Sequence, residues 1–244
     1  MTNKRESHST TMRVFASAVT AALLVAVVAI SPNPVRADDA QDSRQLVEKA
    51  RLTLESFVAD KDMGRSLQSL LKRAKGVLIY PQVLRGAFIF GVSGGSGVFL
   101  VHDDKAGKWG GPAFYTIGEA SFGLQIGGDA SEVVLVALTD RGVSSLLSTS
   151  TKLGGDIGVA LGPIGMGAEA ATANLSADII SYSRAKGLYA GLSLEGAVVA
   201  TRDSLNRAYY GKEVTPTDIL IRRAVTNSHA AGLIGAVGKM AGGK

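Results

Sequence analysis

Between residues 41 and 60 the apolar positions Leu46, Val47, Ala50, Leu54, Phe57 and Val58 recur at helical spacing with charged residues between them. Leu67, Leu70, Leu71 and Ala74 repeat that spacing over a second, shorter stretch. Both runs predict amphipathic helices. The second closes on Lys72-Arg73-Ala74-Lys75 before Gly76, cations in a last turn followed by a glycine stop. Beyond Gly76 the texture changes to short apolar runs separated by glycine, at residues 77–80, 87–90, 98–102, 113–117, 122–126 and 133–138. Punctuation of this kind predicts strands. Asp103-Asp104-Lys105-Ala106-Gly107 reads as a hairpin connection, and a brief helix follows Thr139-Asp140. Strands resume over residues 156–170, 178–183 and 188–200. Thr201 is placed to cap a short helix that Gly211 closes, and Thr215-Pro216-Thr217-Asp218 starts another with proline at its first position. Near the end, Gly232, Gly235 and Gly238 interrupt Leu233, Ile234 and Val237, so low helix propensity predicts a weakly ordered apolar tail over residues 226–244.

Short strands in the middle and helices gathered at the two ends predict an α+β domain. Its sheet is expected to be antiparallel, strongly curved and glycine-punctuated, open or partly closed into a barrel, with amphipathic helices at both ends. All 30 glycines lie from Gly64 onward, about one residue in six against an average usage of about 7%. The expected positions for them are bends, bulges and close strand crossings.

The N-terminal 37 residues stand apart. Lys4, Arg5 and Arg13 precede the apolar run from Val14 to Ile30, Ser31-Pro32-Asn33-Pro34 ends it, and Val35-Arg36-Ala37 offers small residues around a cleavage point. This is the pattern of a secretory signal, with Met1 or Met12 as the start and Asp38 as the first mature residue. The alternative reading is an uncleaved membrane anchor. Export by this signal places the mature protein in the periplasm or outside the cell, peripheral on a membrane or free.

Removing Lys4, Arg5, Arg13 and Arg36 against Glu6 reduces the 26 positive and 21 negative residues to 22 and 20. The basic balance of the whole chain therefore belongs largely to the signal, and with no Lys/Arg stripe a nucleic-acid partner is not expected. The chain has no cysteine, which excludes disulfides, thiol catalysis and cysteine-ligated metal.

Candidate chemistry is thin. Gly91-Val92-Ser93-Gly94-Gly95 satisfies G-x-S-x-G, but the elbow of a serine hydrolase needs a helix next and Gly97-Val98-Phe99-Leu100-Val101 reads as strand. The segment is more simply a glycine-rich hairpin, with His229 the one candidate downstream base. His102-Asp103-Asp104 lacks further ligands for a metal, Gly165-Met166-Gly167-Ala168-Glu169-Ala170 lacks the flanks of a dinucleotide site, and Ser69-Leu70-Leu71-Lys72 lacks its companion motifs. No catalytic residue, metal or cofactor is expected, and the chain reads as a non-enzymatic protein. What remains is the densest positive stretch, Arg65, Lys72, Arg73, Lys75 and Arg85, interleaved with Leu67, Leu70, Leu71, Val77 and Leu84. One reading docks these cations on anionic headgroups while the neighbouring apolar groups enter the interface. The other is a solvated helix end whose leucines pack in the core.

Several blocks taken together resemble the SYLF-domain family. They include Ala74-Lys75-Gly76-Val77-Leu78-Ile79-Tyr80-Pro81, Gly110-Gly111-Pro112-Ala113-Phe114 leading to Ser121-Phe122-Gly123-Leu124-Gln125, and Thr139-Asp140-Arg141-Gly142 after Val133-Val134-Leu135-Val136. Gly162-Pro163, Gly167-Ala168-Glu169-Ala170, Ser181-Tyr182-Ser183-Arg184, Gly191-Leu192-Ser193-Leu194-Glu195-Gly196 and Tyr209-Tyr210-Gly211 continue the series in the same order. The likeness runs from about Arg44 to Arg223, giving a SYLF-like domain at residues 38–225. It implies a lipid-binding module that associates with anionic, phosphoinositide-like membrane lipids, and in eukaryotic relatives contacts actin. The resemblance places membrane contact in the basic, amphipathic N-terminal part, here the two-helix segment from Gln41 to Lys75, and the candidate electrostatic contacts are Arg65, Lys72, Arg73, Lys75 and Arg85. An exported protein would meet envelope lipids such as phosphatidylglycerol or cardiolipin. A structural or protein-interaction module with an envelope protein partner is the alternative, and a hydrolase using Ser93 the third.

Overall fold

The computed structural model describes residues 37–87, 90–122, 127–163, 177–185, 188–189 and 194–242. The segment up to Arg36, where an export signal is expected, and the Gly165–Ala170 motif lie outside these. Two helices, α1 (Ala37–Val58) and α2 (Gly64–Leu71), precede the strands β1 (Gly76–Ala87), β2 (Phe90–Asp103), β3 (Lys108–Phe122) and β4 (Gly127–Ala137). Then come α3 (Asp140–Leu147), β5 (Ser150–Lys152), β6 (Val159–Leu161), β7 (Ile179–Ala185), β8 (Leu188–Tyr189) and β9 (Val198–Thr201). Helices α4 (Asp203–Tyr210), α5 (Pro216–Leu220) and α6 (Ala231–Met240) complete the described chain, with a 3₁₀ turn at Ser228–Ala230 before α6. Among these helices none is long and apolar enough to cross a membrane.

Eight strands line up in the order β5-β9-β3-β2-β1-β4-β7-β6, and β8 pairs with β7. All described pairings are antiparallel except that between β6 and β7. The sheet curls into a half-barrel, the expected α+β architecture. Its central strands carry continuous apolar runs because both faces are covered. On β1, Val77 and Ile79 face α1 and α2, while Leu78 and Tyr80 join a second core with Val143 and Leu146 of α3 and Ile219 and Leu220 of α5.

A bulge between Ile79 and Gln82, containing Pro81, inserts one extra residue into β1 and inverts its side-chain alternation. Gly95 on β2 accommodates it: a Cβ there would lie 2.3 Å from the Gln82 carbonyl oxygen. The inversion puts Leu84 on the helix side of the sheet and Arg85 on the other.

Three sequence expectations are corrected. Residues 91–97 form no hairpin; they make up most of the first half of β2, paired with β3 on one side and, for most of that length, β1 on the other. The cap of α4 is Arg202, not Thr201, with no side-chain cap bond. The glycine-spaced tail is helical, because Leu233 and Val237, one turn apart, are buried in the helix-side core. Packing there outweighs low intrinsic propensity.

Candidate functional site: the cationic face of the second helix

Helix α2 is fixed from below. Gly64 starts it so close to α1 that a Cβ would lie 2.1 Å from the Val58 carbonyl oxygen. Leu67, Leu70 and Leu71 are completely buried. Ser66, also buried, donates to the Pro163 carbonyl at 2.7 Å and sits 2.8 Å from the Tyr182 hydroxyl, which ties the helix to β7. The apolar side of α2 is therefore core, and its leucines are not available to a membrane. Of the two sequence readings, the buried one holds for these residues.

The opposite side is cationic. Arg65, Gln68 and Lys72 are exposed, and Arg65 and Lys72, two turns apart, share one stripe. Neither makes an ion pair among the described residues. Arg73 is exposed immediately after them. Helix α6 packs against α2 at this end, with Gly242 alongside the Lys72 stem and exposed Lys239 in its last turn.

The remaining two candidates lie elsewhere. Lys75, half-buried, forms an ion pair with Asp104, whose other oxygen is 2.9 Å from His102 Nδ1. The Lys75–Asp104 hydrogen bond holds the Lys75 ammonium above its ordinary pKa and, with His102 adding to it, the Asp104 carboxyl below its own. Arg85 is ten residues further along β1, roughly 30 Å at strand rise. It lies in a cross-strand row with Asp129, Ser93 and Glu119, and its Nη2 is 3.6 Å from the Glu119 carboxylate. The five candidates thus divide into a group on α2 and two residues engaged with acids.

Ser93 occupies the same row in mid-strand, without the strand–turn–helix geometry of a hydrolase elbow. His229 is 3.3 Å from the Tyr209 hydroxyl and 3.6 Å from Glu48, bridging the 3₁₀ turn to α4 and α1. Among the described residues no group of three or more His, Asp or Glu side chains is placed to hold a metal ion. Lys239 was missed in sequence because its neighbours come from α2, some 170 residues away.

The half-barrel sheet carries helices on both faces, and the exposed side of α2 is cationic. A family profile described as "Ysc84: Las17-binding protein actin regulator" matches residues 118–240. Protein YSC84 of Saccharomyces cerevisiae is 36% identical over 185 residues, 72% of this chain and 39% of that protein. LAS seventeen-binding protein 3 of the same yeast is 36% identical over 184 residues, 72% of this chain and 40% of its own length. SH3 domain-containing YSC84-like protein 1 of Homo sapiens is 33% identical over 153 residues, 62% of this chain and 44% of its own. The chain belongs to the Ysc84 (SYLF) domain family. It spans about two fifths of the length of the yeast relatives, one of which is named as a LAS seventeen-binding protein.

Proposed function

We propose that this chain is a non-enzymatic, exported module that attaches peripherally to anionic lipid headgroups of the cell envelope through the exposed face of α2. The observation that carries the reading is the pairing of Arg65 and Lys72 on one exposed stripe without acidic partners among the described residues, beside Lys239. With the leucines of α2 buried, attachment is electrostatic. Each cation near an anionic surface contributes about 1 kcal/mol, so three supply about 3 kcal/mol, enough for reversible, salt-sensitive binding. Flotation of the full-length chain with phosphatidylglycerol vesicles should fall at high ionic strength and on Arg65→Glu/Lys72→Glu substitution. Equal flotation with phosphatidylcholine vesicles would overturn the reading.

A protein-docking role is the second reading, supported by relatives whose names record binding of a partner protein. A groove of about 440 Å³ between α1 and the β1 bulge fits it, with Leu52 55% exposed on its wall and Leu84, equally exposed, paired beside its Ala130. Capture of a defined envelope protein that Leu52→Asp abolishes, with vesicle flotation absent, would favour this reading over lipid attachment.

A further inference from the structure

A cleft of about 480 Å³ opens beside the β2–β3 turn, between α3 and the segment that ends α5. That volume is in the range of small-molecule sites. Its floor is apolar: Val101, Val143 and Leu220 are buried, and Leu147 lies with them. Its rim is charged in equal measure, with Lys75, Lys105 and Arg223 against Asp103, Asp104 and Asp140. Arg223 has φ of 52°, the one non-glycine residue in the left-handed region among those described. A side chain held there is strained, and such strain persists where surrounding contacts impose it. Those contacts are a hydrogen bond donated by Nη2 to the Lys108 carbonyl at 2.9 Å and an approach of 3.5 Å to Asp103.

We propose that this cleft binds a single-chain amphiphile whose head carries both a cation and an anion. The apolar floor takes the chain. The rim matches a zwitterionic head, whose ammonium meets the carboxylates and whose phosphate meets Lys75 and Arg223. Because Lys75 is paired with Asp104 and Arg223 approaches Asp103, a purely anionic head would draw the cations away and leave carboxylates facing it, and a purely cationic one would do the reverse. This site is separate from the α2 face and does not depend on its role.

Trp109, the only tryptophan in the chain, supplies a reporter: its ring centroid is 5.2 Å from that of His102, which lines the cleft. Titration of the full-length chain with lysophosphatidylethanolamine below its micelle concentration should give saturable one-site binding, seen in Trp109 emission and by calorimetry. Phosphoethanolamine without a chain, and the anionic lysophosphatidylglycerol, should each bind about tenfold more weakly or less. Ser144→Phe, which fills the cleft from an exposed position of α3, and Arg223→Gly, which removes the guanidinium while suiting the backbone, should weaken binding by a similar factor. Arg65→Glu/Lys72→Glu should leave it unchanged, which separates this site from vesicle attachment. Absence of saturable binding, equal affinity for lysophosphatidylglycerol, or unaltered affinity in both cleft variants, each folded by circular dichroism, would overturn the proposal.

Discussion

Arg184 and Glu132 stand directly opposite each other on β7 and β4, and Arg184 Nε donates to Glu132 Oε2 at 3.0 Å. Arg184 Nη2 donates to the same carboxylate oxygen and to Ser56 Oγ at 2.9 Å, and the guanidinium lies 4.7 Å over the Phe57 ring. Thr53 donates to the other oxygen of Glu132 at 3.3 Å. The Arg184 side chain is only 10% exposed, so the pair clamps α1 to the sheet just before the chain turns into α2. Arg184→Met leaves the half-buried Glu132 carboxylate without its cation and should cost about 1–3 kcal/mol in urea denaturation, less than for a fully buried pair because water reaches the carboxylate. Arg184→Lys should recover part of this, because it keeps the charge but not the planar fork. Arg184→Met/Glu132→Leu should be less destabilised than the sum of its single changes.

Asn206 is completely buried on α4 and completes the edge of β3. Its Oδ1 accepts from the Phe114 N–H at 2.9 Å, just where pairing with β9, which runs from Tyr115 to Gly118, has stopped. Asn206 Nδ2 donates to the Phe114 carbonyl at 3.4 Å, and that carbonyl has a second donor in the Arg202 N–H at 2.9 Å. In Asn206→Leu the carbonyl stays satisfied and the N–H is stranded, so a loss of about 1–3 kcal/mol is expected. Hydrogen exchange should show faster opening at the Phe114 amide than at its β3 neighbours.

The parts of this fold legible in sequence are those with local causes. The two N-terminal helices follow from 3.6-residue periodicity, the start of α5 from Thr215-Pro216 and Asp218, and the Arg65–Lys72 stripe from a spacing of seven. Strands were visible where both faces are apolar, as at Val77 to Tyr80. They were not visible over Gln82 to Gly86 of β1 or Gly91 to Gly97 of β2, where no apolar run marks them, and the strand expected at 87–90 divides between the end of β1 and the start of β2. The partners of Lys75 and Arg85, Asp104 and Glu119, lie 29 and 34 residues away along the chain. No local pattern encodes such pairs, so Lys75 and Arg85 looked free in sequence and are engaged in the fold.

Two glycines should respond oppositely to alanine. Gly64 has the Val58 carbonyl oxygen 2.1 Å from a built Cβ, a backbone atom that cannot swing aside, so Gly64→Ala should force α1 and α2 apart. Overpacking of this kind costs about 1–3 kcal/mol. Gly235 is exposed inside α6 with nothing within 4 Å of the same position. Gly235→Ala should therefore stabilise by about 0.5–1 kcal/mol through helix propensity alone. Thermal melts of the two variants should move in opposite directions, and a lowered midpoint for Gly235→Ala would contradict the exposed face assigned to α6.

Asp218 closes the start of α5 reciprocally: its Oδ2 accepts from Thr215 Oγ1 at 2.6 Å and from the Thr215 N–H at 3.1 Å, while the Asp218 N–H donates to Thr215 Oγ1 at 3.2 Å. Arg222 donates to Oδ1 at 2.8 Å. The Thr215 hydroxyl, then the Thr215 N–H and Arg222, favour the ionised form and push the carboxyl down to about 2 from 3.8. A depressed folded-state pKa stabilises the fold fully above the unfolded value, and the stabilisation is lost as pH falls through the folded one. The melting temperature of the wild type should therefore exceed that of Asp218→Asn above pH 3.8, by a constant margin as far as this group is concerned, and the margin should shrink toward pH 2. Because α5 carries Leu220 into the 480 Å³ cleft and is followed by Ile221 and Arg223 on its rim, loosening its first turn should also weaken lysolipid binding over the same pH window. An Asp218→Asn chain whose melting curve tracks the wild type at every pH would show that the capping box contributes nothing to α5.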